Sequence, residues 1–261
     1  MLKGSKMGSG ASGLLGEAFD WAKTQAFAAA LPSDVARWAP QILKAAKTYD
    51  VDPWVLAGIM YRESLGGSAL TPKNDPGGTG DFTPRWSGNL YFKFANPATG
   101  LPPDGKGWGR GLMQIDYGVH NAWIVSHNWA DPQVSLNKAA EIFKANLDYF
   151  AKQPSTPTVS IECWRIDRGM PQINIAPWRT KYPATYFPPC ASGAKYATPA
   201  GRDVRPLRGP ALYEAAIAAY NAGTSGVLQA LALGLPAEAV TSGQEYVSYF
   251  SARIAAWSKN F

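Results

Sequence analysis

Glu63 lies in the last turn of the most apolar helical segment of the chain, PWVLAGIMYRESLGG, with Met60 and Tyr61 before it and Leu65 after it. A carboxylate there meets the negative end of the helix dipole, and burial adds a desolvation cost; both favour the protonated form. A carboxyl that keeps its proton toward neutral pH can act as general acid in cleavage of a glycosidic bond. An ion pair is the alternative reading, but neighbouring helical residues point apart, so Arg62 is a poor partner. A second chemical segment ends at Asp116 and carries alternate glycines, Gly105, Gly107, Gly109 and Gly111. Such spacing permits close backbone approach and positive φ, as a tight loop or a hairpin lining a groove requires. It is not a phosphate loop, because no GK[ST] follows and no βα unit precedes it. Asp104 and Asp116 bracket the segment and are candidates to activate a water or steady a positive transition state. An Asx-turn or a helix cap is the bland reading of each. A third segment, Ala218–Gly223, ends a helix at a glycine. Tyr220 there can hydrogen-bond a catalytic carboxyl and Asn221 a sugar amide, although helix termination alone also accounts for it.

These side chains need a frame, and apolar periodicity supplies mostly helices. Three-to-four spacing runs from Leu15 through Phe19, Trp21 and Phe27 to Leu31, and Pro32-Ser33-Asp34 breaks and recaps the chain. A second helix buries Val35, Trp38, Ile42, Leu43 and Ala46. Asp52 as N-cap and Pro53 in the first turn start the helix that carries Glu63, which stops at Gly66-Gly67. Being apolar almost all round, it belongs at the centre with helices about it. Residues 68–111 hold 9 glycines and 6 prolines and read as long loops with a short hairpin near Asn89–Phe94. Helicity returns over Val119–His127 and strongly over Ser135–Lys152, then over Ala211–Asn221, Ser225–Leu233 and Gln244–Ser258. The last helix presents Tyr246, Phe250, Ile254 and Trp257 on one face.

Composition narrows the class. The 261 residues include 10 Trp, 12 Tyr and 10 Phe, which need a core or a ligand, so the chain as a whole is not disordered. No apolar run approaches the length of a membrane span. Cys163, Cys190, His120 and His127 follow no zinc spacing, so neither a metal nor another cofactor is expected. The net charge of +6 suits an anionic partner, yet no basic recognition helix argues for nucleic acid. Most of that charge sits in a proline-rich excursion over 156–210, with eight Lys/Arg against three acids and nine of the 21 prolines. Its Arg165, Arg168, Arg179 and Lys181, interleaved with Trp164, Trp178 and Tyr182, are expected to pack beside the groove and extend binding to an acidic polymer. A solubilising surface insertion is the alternative. Cys163 and Cys190 lie in the same excursion, either as a disulfide or as two thiols. Residues 1–16 are Gly/Ser-rich, lack the apolar core of a secretory signal and read as disordered. The remainder, 17–261, reads as one mainly α domain with leading helices over 17–50 and an insertion at about 156–210.

LAGIMYRES at Leu56–Ser64, GLMQI at Gly111–Ile115 and AYNAG at Ala219–Gly223 stand in helix, loop and helix contexts, and together they resemble the lysozyme-like superfamily. That group contains goose-type lysozymes and soluble lytic transglycosylases. The resemblance covers about 51–152 and 211–258 and implies an α+β lysozyme-like fold with a substrate groove. It implies cleavage of the β-1,4 bond between N-acetylmuramic acid and N-acetylglucosamine in bacterial peptidoglycan. Glu63 falls on the general acid of that family. Asp116 matches its second aspartate, and Asp104 lies close to its first. Met113 and Gln114 match groove-lining positions, Trp108 is expected to bind substrate near them, and Tyr220 and Asn221 match the pair that orients the acid and contacts the acetamido group. Retention of both aspartates favours a hydrolase over a lytic transglycosylase, which uses one glutamate and leaves 1,6-anhydromuramic ends. A non-catalytic wall-binding or spike component on the same scaffold is a further alternative. The resemblance is strongest to phage endolysins and virion-associated lysins, and it implies a monomer acting at the bacterial cell wall.

Overall fold

The computed structural model describes residues 22–85, 94–152, 160–162, 195–197, 204–232, 236–241, 243 and 245–259. The N-terminal stretch 1–16, all but Phe94 of the hairpin expected near Asn89–Phe94, Cys163 and Cys190 lie outside these residues, as do the excursion's Arg165, Arg168, Arg179 and Lys181. The fold is mainly α with one small three-stranded sheet, and among the described residues no helix is long and apolar enough to cross a membrane. The chain divides into two compact units. One runs to Ala140 and adds Arg253–Phe261; the other is Glu141–Ala252.

In the first unit, α1 (residues 22–30) buries Phe27, whose ring meets Trp54 edge-on at 4.6 Å. The single helix expected to follow is instead two, α2 (Ser33–Ala36) and α3 (Ala39–Tyr49). Pro40 explains the break: it has no N–H to donate to the carbonyl of Ala36, and its ring disfavours the helical conformation just before it. Val35 and Ile42 are buried as expected, whereas Trp38 and Leu43 are half-buried. The helix α4 (Pro53–Ser64) starts as the sequence indicates, with the Asp52 carboxylate accepting from Trp54 N at 2.8 Å. Every residue from Val55 to Met60 is buried. Near its C-terminal end, Tyr61 meets the C-terminal helix, where the Trp257 ring lies edge-on at 5.6 Å and Arg253 Nη1 donates to its hydroxyl at 3.2 Å.

The sheet comprises β1 (Thr79–Gly80), β2 (Gly109–Arg110) and β3 (Ile115–Asp116), antiparallel in that order. Gly80 pairs with Gly109, and Gly109 pairs with Asp116. Helix α5 (Tyr117–Ser126) follows immediately, two residues earlier than the apolar pattern indicates, because Asp116 Oδ1 accepts from Val119 N at 3.0 Å. Helix α6 (Pro132–Lys152) likewise begins early, at Pro132, with Asp131 Oδ1 accepting from Gln133 N and Val134 N.

In the second unit, the strands β4 (Ser160–Glu162) and β5 (Lys195–Ala197) pair antiparallel inside the proline-rich excursion. The excursion returns to the end of α6, where Leu207 N donates to Phe150 O at 2.9 Å and Arg208 Nη1 to Ala151 O at 2.6 Å. Val204 and Leu228 are buried together, with Tyr149 and Leu231 packed on them. Helix α7 (Gly209–Ala232) is broken at Gly223, whose φ of 75° and ψ of 154° are not helical, as the expected glycine stop requires. A 3₁₀ turn (Ala237–Val240) leads to α8 (Tyr246–Ser258), whose Tyr246 and Phe250 are buried and stacked.

Candidate functional site

Glu63 is the penultimate residue of α4 and is half-buried. The chain just beyond it is fixed by several contacts. Ser64 Oγ donates to Met60 O and accepts from Gly67 N, while Leu65 ends the helix in the left-handed conformation. The carbonyl of Gly66 accepts from Arg37 Nη2 at 2.7 Å and from Trp38 Nε1 at 2.9 Å. A Cβ on Gly66 would stand 2.1 Å from the carbonyl oxygen of Asp34, so only glycine lets this turn seat against α2. Thus the short helices ahead of α4 clamp the turn that follows Glu63.

The Gly111–Ile115 turn packs against that same turn. A Cβ built on Gly67 would lie 3.1 Å from Leu112 Cδ2, which places the GLMQI segment beside the end of the Glu63 helix. Gln114 has a positive φ of 48°, and its Nε2 donates to Gly111 O at 2.9 Å. Its side chain lies over the paired glycines of the sheet: Cβ atoms on Gly80 and Gly109 would meet Gln114 Oε1 at 2.3 and 2.1 Å. The alternate glycines therefore make a bed for Gln114, which is half-buried and reaches solvent. Met113 and Trp108, both expected to meet substrate, are 0% exposed. Trp108 Nε1 donates to Thr83 O at 3.2 Å, so the indole supports the sheet from within.

The aspartates are all engaged. Asp104 accepts from Lys106 N in an Asx-turn and from Arg110 Nη2 at 2.9 Å. Arg110 is fully buried, its guanidinium 4.8 Å from the Tyr117 ring and 5.6 Å from the Trp129 ring. Among the described residues its Nε and Nη1 have no hydrogen-bond partner. Asp104 is thus the counter-ion of a buried cation. Asp116 caps α5 with Oδ1 and accepts from Arg85 Nη1 with Oδ2 at 2.7 Å. Arg85 Nη2 also donates to Asp81 Oδ2, which brings a further acid to Asp116. Nothing in the local sequence pattern singles out Asp81 and Arg85. The signal that points to them is strand register, since Asp81 follows β1 directly and Asp116 ends β3.

Tyr220 and Asn221 belong to the second unit, half-buried and exposed respectively, in the helical stretch that ends at Gly223. Among the described residues no group of three or more His, Cys, Asp or Glu could hold a metal ion. No protein family model matches the chain, and no curated protein matches it either.

Proposed function

We propose that the chain is a peptidoglycan-degrading glycosidase, a muramidase that hydrolyses the β-1,4 bond between N-acetylmuramic acid and N-acetylglucosamine. The observation that carries this reading is the seating of Glu63. A half-buried acid ends an apolar helix, its following turn is clamped at Gly66, and the GLMQI turn packs on Gly67 beside it. A carboxyl in the last turn of a helix faces the negative end of the dipole, which favours the proton it has to donate. In the proposed step Glu63 gives that proton to the glycosidic oxygen as the C1–O bond breaks. Water adds to C1 from the opposite face and loses its proton to an aspartate, Asp116 or Asp104. Gln114 would contact the sugar, while Met113 and Trp108 support the binding surface from beneath. The expected partner is the bacterial cell wall.

A specific observation favours a second reading, a lytic transglycosylase. Asp104 and Asp116 each already accept from an arginine and a backbone amide. One glutamate then serves as acid and base, and the muramic 6-hydroxyl replaces water. Both readings require Glu63. Its replacement by Gln is expected to lower release of soluble fragments from purified walls by at least ~100-fold, with the fold intact by circular dichroism. Lysis at near the wild-type rate would refute the assignment.

A further inference from the structure

We propose that Arg85 is a positioning residue for a two-carboxylate unit, Asp81 with Asp116, and that Asp81 rather than Asp104 is the second aspartate of the site. The inference rests on the muramidase reading and concerns how its water is held. The two acids reach one place through the sheet. Gly80 pairs with Gly109 and Gly109 with Asp116, so Asp81 and Asp116 lie on either side of β2 at the same end. The backbone of Trp108 ties them further, its N–H donating to Asp81 O at 2.9 Å and its carbonyl accepting from Tyr117 N at 2.8 Å. Arg85 completes the unit. Its backbone N–H donates to Gly100 O at 2.7 Å, and its guanidinium lies 4.7 Å from the centre of the buried Trp108 ring. A planar cation stacked on an indole presents its amino groups in a fixed direction. Here Nη1 reaches Asp116 Oδ2 at 2.7 Å and Nη2 reaches Asp81 Oδ2.

Each carboxylate is also held by its other oxygen. Asp116 Oδ1 caps α5, and Asp81 Oδ1 accepts from Thr83 N at 3.3 Å. Neither can rotate freely, yet the side chains of Arg85, Asp81 and Asp116 are 22%, 38% and 31% exposed, so water reaches them. Two acids on one cation keep an excess negative charge. That excess suits a group that takes a proton from water beside an oxocarbenium-like centre. The Asp104–Arg110 pair has no such excess, because one acid matches one fully buried cation. Arg85 would not touch the sugar; it would hold the two oxygens at the spacing the water needs.

The test is steady-state kinetics of the full chain on purified peptidoglycan, with Tm recorded for each variant. Asparagine still caps helices and Asx-turns, so Asp116→Asn and Asp81→Asn remove charge while sparing the local backbone. Each should lower kcat at least ~10-fold with KM changed less than ~3-fold, the pattern of a group that acts in the transition state. Arg85→Ala should lower kcat comparably, and Arg85→Lys should recover a substantial part. Adding Asp81→Asn to Arg85→Ala should cost less than ~2-fold more, because the two act as one unit. Asp104→Asn should lower Tm and should lower kcat less than Asp81→Asn does. Loss of kcat in Asp104→Asn with retention in Asp81→Asn would overturn the assignment of Asp81. Unchanged kcat in Arg85→Ala would overturn the role of Arg85. If the wild type releases fragments and Glu63→Gln does not, those results sink only this inference. If the wild type releases none, the muramidase reading falls and this inference with it.

Discussion

Replacing Gly66 by Ala perturbs the clamp on the Glu63 turn, and the structure sets the size of the effect. Gly66 has a φ of 64°, and a side chain in that left-handed region costs about 1–2 kcal/mol. The new Cβ would also stand 2.1 Å from Asp34 O and 2.5 Å from Asp34 C, both backbone atoms, so the turn and α2 must separate. Separation strains or breaks the bonds that Arg37 Nη2 and Trp38 Nε1 donate to Gly66 O. The first has a charged donor and is worth about 1.5–3 kcal/mol, the second about 0.5–1.5 kcal/mol. The sum is about 3–6 kcal/mol, a large fraction of an ordinary domain's stability of roughly 5–15 kcal/mol. Gly105→Ala is the internal control. Gly105 has a φ of 69° with nothing within 4 Å of a built Cβ, so it carries the backbone cost alone. Urea unfolding of both variants, with slopes compared to confirm a shared transition, measures the difference directly. Gly66→Ala should be less stable than Gly105→Ala by about 2–4 kcal/mol, and it should lose wall-lytic activity even where it remains folded. Equal stabilities would refute the claim that the turn after Glu63 is clamped.

Gly109→Ala should displace Gln114, because its Cβ would lie 2.1 Å from Gln114 Oε1 and 2.7 Å from Cδ. The expected result is a raised KM on wall fragments with a stability loss near ~1 kcal/mol, checked by kinetics and urea unfolding. Asp104→Asn replaces a charged acceptor of the buried Arg110 by a neutral one and should cost roughly 1 kcal/mol, or a Tm drop of about 2–4 °C in scanning calorimetry.

Local signals were legible in the sequence. Asp52 and Pro53 announce the start of α4 and Gly66-Gly67 its end, because capping and backbone permissiveness act over a few residues. Gly223 marks the break in α7 for the same reason. Pro40 carried the split between α2 and α3, but the apolar stripe continues across it and masks the break. The three strands were not legible, since two-residue strands are too short to show alternation. Glu63 stands out as a candidate by its apolar neighbours, whereas Asp81 and Arg85 come together only when β1 and β3 flank β2. Asp104 drew attention by its place next to the glycine-rich segment, yet its partner is a buried arginine. Trp108 and Met113 carry the motif's bulk, and bulk in a sheet-backed turn goes inward.

The central claim is that this chain cuts the glycan strand of peptidoglycan by hydrolysis with Glu63 as the acid. Mass spectrometry of the fragments released from purified walls tests it most directly, with Glu63→Gln digested in parallel. Soluble muropeptides with reducing N-acetylmuramic acid ends are expected from the wild type and none from the variant. Products ending only in 1,6-anhydromuramic acid would contradict the hydrolytic step, and walls left intact by the wild type would contradict the claim as a whole.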